Sequence, residues 1–229
     1  MAADNLDALI ISPMSLQPLS LQVFKDLPQP APCLSNRERK SAGAMASVLV
    51  LALWLSGCSG QPAPRTFDLT APRDAGKVSS SRAALIVAEP STVQVFDSDR
   101  IIVRGSGGDL SFLGGAQWAD RLPKLVQTRL IQTFENVSRL GAVGRPGERI
   151  VPDWQLNCDI RNFAIDSATG EAVVEISVKL VGDRSGRVSA ARLFVARVPA
   201  GSVDADSAAQ ALDRALSQVM IEIVRWAKV

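Results

Sequence analysis

The sequence predicts an α+β domain: a mixed, largely antiparallel sheet packed by two amphipathic helices. Three observations carry that expectation. Runs that alternate apolar and polar residues follow one another between Trp154 and Val198. Short Gly-containing turns join them, which makes neighbours antiparallel. Apolar stripes at helical spacing lie at 118–134 and 208–227. One sheet layer covered by two helices buries the stripe of each.

The domain is expected over 83–229. Ala84-Leu85-Ile86-Val87-Ala88 reads as a short central strand, stopped by Pro90. Thr92–Phe96 and Arg100–Arg104 flank Asp97-Ser98-Asp99, which predicts a hairpin. Gly105–Gly108 is a turn, and Asp109–Leu113 is a further short strand. The turn does not cradle phosphate, because Leu110 stands where G-x-G-x-x-G needs its third Gly and no Gly-Lys follows. Gly114-Gly115 introduces a helix whose stripe is Trp118, Leu122, Leu125, Val126, Leu130 and Phe134. Pro123 is acceptable if that helix proper begins near Asp120. Trp118 is assigned to core packing, as are Trp154 and Trp226.

Trp154, Leu156, Cys158 and Ile160 share one face of the next strand. The phase then slips to Phe163 and Ile165, as a β-bulge requires. Cys158 is read as a small buried hydrophobe. Residues 167–170 turn the chain into a strand with Ala172, Val174, Ile176, Val178 and Leu180 on one face. Residues 182–186 turn it back into Val188–Val198, completing a meander. Asp204 is positioned to cap the closing helix, with Asp206 in its first turn and Arg225 and Lys228 near its end. Its stripe is Ala208, Ala211, Leu212, Ala215, Val219, Ile223 and Trp226 or Ala227.

Ahead of the domain the composition changes. Residues 1–36 carry five prolines and no periodicity, and read as a mis-annotated start or an unstructured leader. Residues 37–57 read as a signal peptide: the basic cluster Arg37-Glu38-Arg39-Lys40, then an uncharged apolar run from Ala42 to Leu55. The run is too short for a transmembrane helix, which needs about 20 apolar residues. It ends Leu55-Ser56-Gly57-Cys58, which resembles the bacterial lipobox. Leu55, Ser56 and Gly57 would be read by the signal peptidase, and Cys58 would carry diacylglycerol on its sulfur and an acyl chain, such as palmitate, on its new amino terminus. Ser59 rather than Asp follows Cys58, which by analogy sends a Gram-negative lipoprotein to the periplasmic leaflet of the outer membrane rather than retaining it at the inner one. Residues 58–82, with Pro62, Pro64 and Pro72, read as a flexible tether. Within it Thr66-Phe67-Asp68-Leu69 is an island able to add a strand.

Composition narrows the function. The 229 residues contain no His and carry a formal net charge of +2. Lacking His, the chain lacks the commonest general base and catalytic zinc ligand. A balanced charge without a basic block argues against nucleic acid. Cys33, Cys58 and Cys158 form no metal-binding spacing. No catalytic, metal or cofactor-binding residues are identified. The carboxylates Asp97, Asp99 and Asp109 read as a solvated turn rather than an acid/base pair, and the loop lacks EF-hand spacing.

In order, the lipobox at Cys58, Phe67-Asp68-Leu69, the run Asp99–Arg104, Gln117-Trp118-Ala119-Asp120-Arg121-Leu122, the Trp154–Arg161 strand and the closing helix resemble the ABC-type transport auxiliary lipoproteins. The resemblance covers residues 58–229. That family often has a Tyr-Tyr-x-Leu pattern where this chain has Phe67-Asp68. The resemblance implies a non-enzymatic periplasmic lipoprotein. Its partners would be an MCE-domain protein and the associated ABC permease and ATPase, which move lipids or hydrophobic compounds between the two membranes. It also implies a possible homo-oligomer, such as a docking ring. The alternative is an envelope lipoprotein that binds another protein or peptidoglycan during assembly or secretion.

Overall fold

The computed structural model describes residues 63–74, 76 and 81–227. The expected leader, the signal peptide, Cys58 and Lys228 lie outside the described residues. The described chain falls in one unit, Gln61–Val229.

The meander forms as its alternation predicts. β7 (Trp154–Asp166), β8 (Glu171–Gly182) and β9 (Val188–Pro199) pair antiparallel in sequence. Apolar residues at every second position put Leu156, Cys158, Ile160, Ile176, Val178 and Leu180 into the core. The expected bulge is present: the β7–β8 register shifts between Ile160 and Asn162, which moves Phe163 and Ile165 onto the buried face.

The other edge of β7 is shared by three strands in succession, all parallel to it. β2 (Ala84–Val87) pairs with Trp154–Leu156, β3 (Ser91–Thr92) with Asp159–Ile160, and β4 (Arg100–Arg104) with Ala164–Asp166. From there the sheet forks. β6 (Ala142–Gly144) adds to β2, while β5 (Leu110–Trp118) adds antiparallel to β4 and β1 (Arg65–Phe67) adds parallel to β5. The result among the described residues is a mixed sheet of nine strands. Its longest ladders are antiparallel, in agreement with the predicted fold class.

Two expectations are corrected here. The hairpin joining Thr92–Phe96 to Arg100–Arg104 does not form. Only Ser91 and Thr92 are extended, and their hydroxyls donate to β7, Thr92 to the Ile160 carbonyl at 2.8 Å. Val93–Phe96 then closes into a turn, with the Phe96 N–H on the Val93 carbonyl, which buries Phe96 and exposes Val93. The hairpin partner of β4 is β5, through the Gly105–Gly108 turn, where Gly108 takes φ +85°. The second correction concerns Trp118, which ends a strand rather than lying in a helix. β5 continues through Gly114-Gly115, and Gly115 at φ +70° takes a conformation that disfavours a side chain. Helix α1 is Leu122–Val137. Pro123 sits in its first turn, where no partner for an N–H is needed, and the Leu122 N–H reaches the Ser98 carbonyl at 3.0 Å.

Helix α2 (Ala205–Trp226) begins as predicted, with Asp204 accepting from the Asp206 and Ser207 amides at 3.0 and 3.1 Å. Its Ala208, Ala211, Leu212, Ala215, Val219 and Ile223 are buried. α2 lies on β5, β7, β8 and β9, and α1 lies on β2, β6 and α2. Both helices cover the face of the sheet that carries Ile176 and Phe194. No helix among the described residues is long and apolar enough to cross a membrane.

Candidate docking surface

The three tryptophans assigned to packing occupy different depths. Trp118 is 1% exposed and meets Phe163 edge to face at 5.9 Å. Trp226, at the end of α2, is half-buried and stands edge to face on Phe194 at 5.5 Å. Trp154 is half-buried against the core and also lines a shallow cleft of about 640 Å³ with Arg82, Asp153 and Arg184. Cys158 is a free, buried thiol, and burial alone pushes its pKa up to about 12. It is protonated and unreactive in the folded domain, which fits a small hydrophobe.

Two of the early-loop carboxylates, Asp97 and Asp99, lie beside guanidinium groups. Asp97 pairs with the Arg121 guanidinium, which also lies 3.5 Å from Glu89, so the residue ahead of α1 is tied to the preceding loop. The Asp109 carbonyl accepts from the Gly105 amide at 2.8 Å and closes the β4–β5 turn. Asp99 lies 3.9 Å from its neighbour Arg100. Among the described residues no group of three His, Cys, Asp or Glu is placed to hold a metal.

The segment expected as tether is anchored on the domain from Arg65 onward. Thr66 and Phe67 add to β5, and Leu69 is fully buried. Three side-chain locks hold this strap. Arg65 makes a two-pronged contact with Asp206 at the start of α2. Thr70 gives both its amide and its hydroxyl to Asp213, each at 2.7 Å. Arg129 of α1 reaches Asp68. Leu55, Ser56, Gly57 and Cys58 lie outside the described residues.

Exposed apolar residues mark two places on the sheet among the described residues. The first is the sheet face opposite the helices. One row across it runs Phe112, Ile102, Ala164, Val173, Arg197 by strand register. The three middle residues are buried, whereas Phe112 is 59% exposed, with the Arg100 guanidinium over its ring. The second is the edge of β9, which pairs with β8 alone. Leu193 and Val195 are 44% and 42% exposed on the face opposite the helices, while Phe194 and Ala196 are buried on the helix side. The sequence reading gave β9 its place in the meander and missed this surface. The signal was present: Leu193-Phe194-Val195-Ala196 is apolar on both faces of a strand, where a half-covered strand would alternate.

Comparison with known proteins follows the same residues. The sequence model of the ABC-type transport auxiliary lipoprotein component matches residues 67–224, from the end of β1 almost to the end of α2. An uncharacterised protein of Bradyrhizobium diazoefficiens is 32% identical over 190 residues, which is 82% of this chain. The chain spans about half the length of that relative, 51%. The crystal structure of protein XCC0632 from Xanthomonas campestris superimposes with a TM-score of 0.63 at 30% identity, covering 71% of this chain and 94% of that one. A second crystal structure, of an uncharacterised protein, shares the fold alone, with a TM-score of 0.57 at 14% identity over 72% of this chain and 99% of the other. The chain belongs to the ABC-type transport auxiliary lipoprotein family.

Proposed function

We propose that the protein is a non-enzymatic docking component of an MCE-type ABC transport system, held at the periplasmic leaflet of the outer membrane by lipid on Cys58. The family match carries this reading, because it spans the strap, the sheet and both helices, and the family is one of lipoproteins serving ABC-type transport. The described domain is suited to holding a partner. Asp97 is committed to an ion pair, the Cys158 thiol is buried, and β9 keeps a free edge among the described residues. An acyl chain on Cys58 gains about 0.8 kcal/mol for each buried methylene, and more than one chain is needed for stable attachment. Such an anchor leaves the domain free to face the periplasm. The cargo on this reading is a lipid or another hydrophobic compound, carried between the membranes by the partner assembly.

Intact mass of the membrane-purified protein tests the anchor. A chain beginning at Cys58 with diacylglyceryl and acyl groups, absent in Cys58→Ala, is the expected result; a chain that keeps residues 37–57 or bears no lipid would sink it. Affinity capture from crosslinked cells then tests the partner. Recovery of an MCE-domain protein with its permease is expected, and recovery of peptidoglycan or of an unrelated secretion component would replace the transport reading.

A further inference from the structure

We propose that the free edge of β9, from Ala190 to Pro199, binds an extended, carboxylate-bearing segment of a partner protein as an added strand. An open edge presents a row of unpaired amide and carbonyl groups, and natural proteins blunt such edges by making them short, bulged or charged. β9 is twelve residues long. Its one register shift lies at the Val188 end, and from Ala190 to Pro199 pairing with β8 is unbroken, so the strand is regular over the stretch where an added strand would lie.

Charge selects the occupant. From Arg184 to Val203 the chain carries Arg184, Arg187, Arg192 and Arg197 and no carboxylate. The two arginines within β9 lean along the faces of the sheet and leave its edge clear. Arg192 lies over the Phe194 ring at 5.0 Å, and Arg197 leans toward Glu171 and Glu175 of β8 at 3.9 and 4.0 Å. Exposed Leu193 and Val195 alternate with buried Phe194 and Ala196, which offers apolar contact to alternate side chains of an incoming strand. A second copy of β9 fits less well, because its own stretch 184–203 holds four arginines and no carboxylate to set against Arg192. A segment alternating apolar and acidic residues satisfies the backbone, the apolar positions and the charge together. The inference depends neither on lipidation nor on the cargo.

The test uses the detergent-solubilised full chain and two synthetic peptides, one alternating Val and Glu and one alternating Val and Lys. Calorimetric titration should show saturable binding of the Glu peptide and none of the Lys peptide. Amide exchange should slow along β9 and nowhere else. Arg192→Glu and Val195→Lys change exposed positions and leave the fold intact; each should weaken the Glu peptide about tenfold or more. Absence of binding, equal binding of both peptides, or protection away from β9 overturns the proposal. So does protection of β9 before any peptide is added that Val195→Lys abolishes along with self-association, which would make the edge a contact between copies.

Discussion

At the scale of single residues, the sites that matter most are those where burial leaves no alternative. Trp118→Ala removes a ring packed against Phe163 in the centre of the core, and should cost about 3–5 kcal/mol in a denaturant titration. Cys158 should resist thiol reagents in the folded domain and react once the domain unfolds, because its thiol is held protonated by burial. Peptide mapping after labelling checks this, and modification of Cys158 in the native protein would contradict it. Asp204 responds to pH in the opposite sense. The Ser202 hydroxyl, followed by hydrogen bonds from Ser207 and Asp206, holds its carboxyl well below the usual carboxylate range. A carboxyl depressed in this way stabilises the fold above its unfolded pKa of about 3.9. That contribution is lost as pH falls from there through the folded value. Asp204→Ala should therefore destabilise the fold at neutral pH in a denaturant titration, and the difference from the parent should shrink in strong acid.

At the scale of elements, legibility in the sequence followed how local each decision is. The meander and α2 were readable because a strict period of two, a phase slip after Ile160 and an Asp cap are written within a few residues of where they act. The pairing of β2, β3 and β4 along one edge of β7 was not, since parallel partners more than sixty residues apart leave no local mark. Trp118 falls on the helical stripe and is as buried as the residues that follow it, so spacing alone placed it in α1. The surface of β9 was missed because a doubly apolar strand looks like a core strand until its neighbours are known. Glycine reveals another non-local constraint. A Cβ at Gly141 would stand 2.3 Å from the Arg82 carbonyl oxygen, and backbone cannot swing aside. Gly141→Ala should thus push β6 from β2 and cost about 1–3 kcal/mol by thermal unfolding, whereas Gly147→Ala meets open space and pays only for its φ of +90°.

Seen whole, the molecule separates its two uncovered duties. Across the sheet the order runs β1, β5, β4, β7, β8, β9, so the strand nearest the amino terminus and the strand with the free edge lie on opposite sides. Five strand spacings of about 4.8 Å put them roughly 24 Å apart. The strap decides what an anchor at Cys58 would allow. A slack connection from 58 to 82 would extend roughly 80 Å and let the domain roam. With the chain locked down at Arg65, only residues 59–64 remain between lipid and fold, a leash of about 25 Å at full stretch. That is no more than about the span from β1 to β9, so a lipidated protein would stand on the bilayer like a moored buoy, its β1 side shoreward and its β9 side toward open water. Cutting the moorings with Arg65→Ala and Asp213→Ala should expose 65–72 to proteases without unfolding the rest. It would also lengthen the rope, and with it the gap between membrane and partner that the proposed assembly would have to bridge.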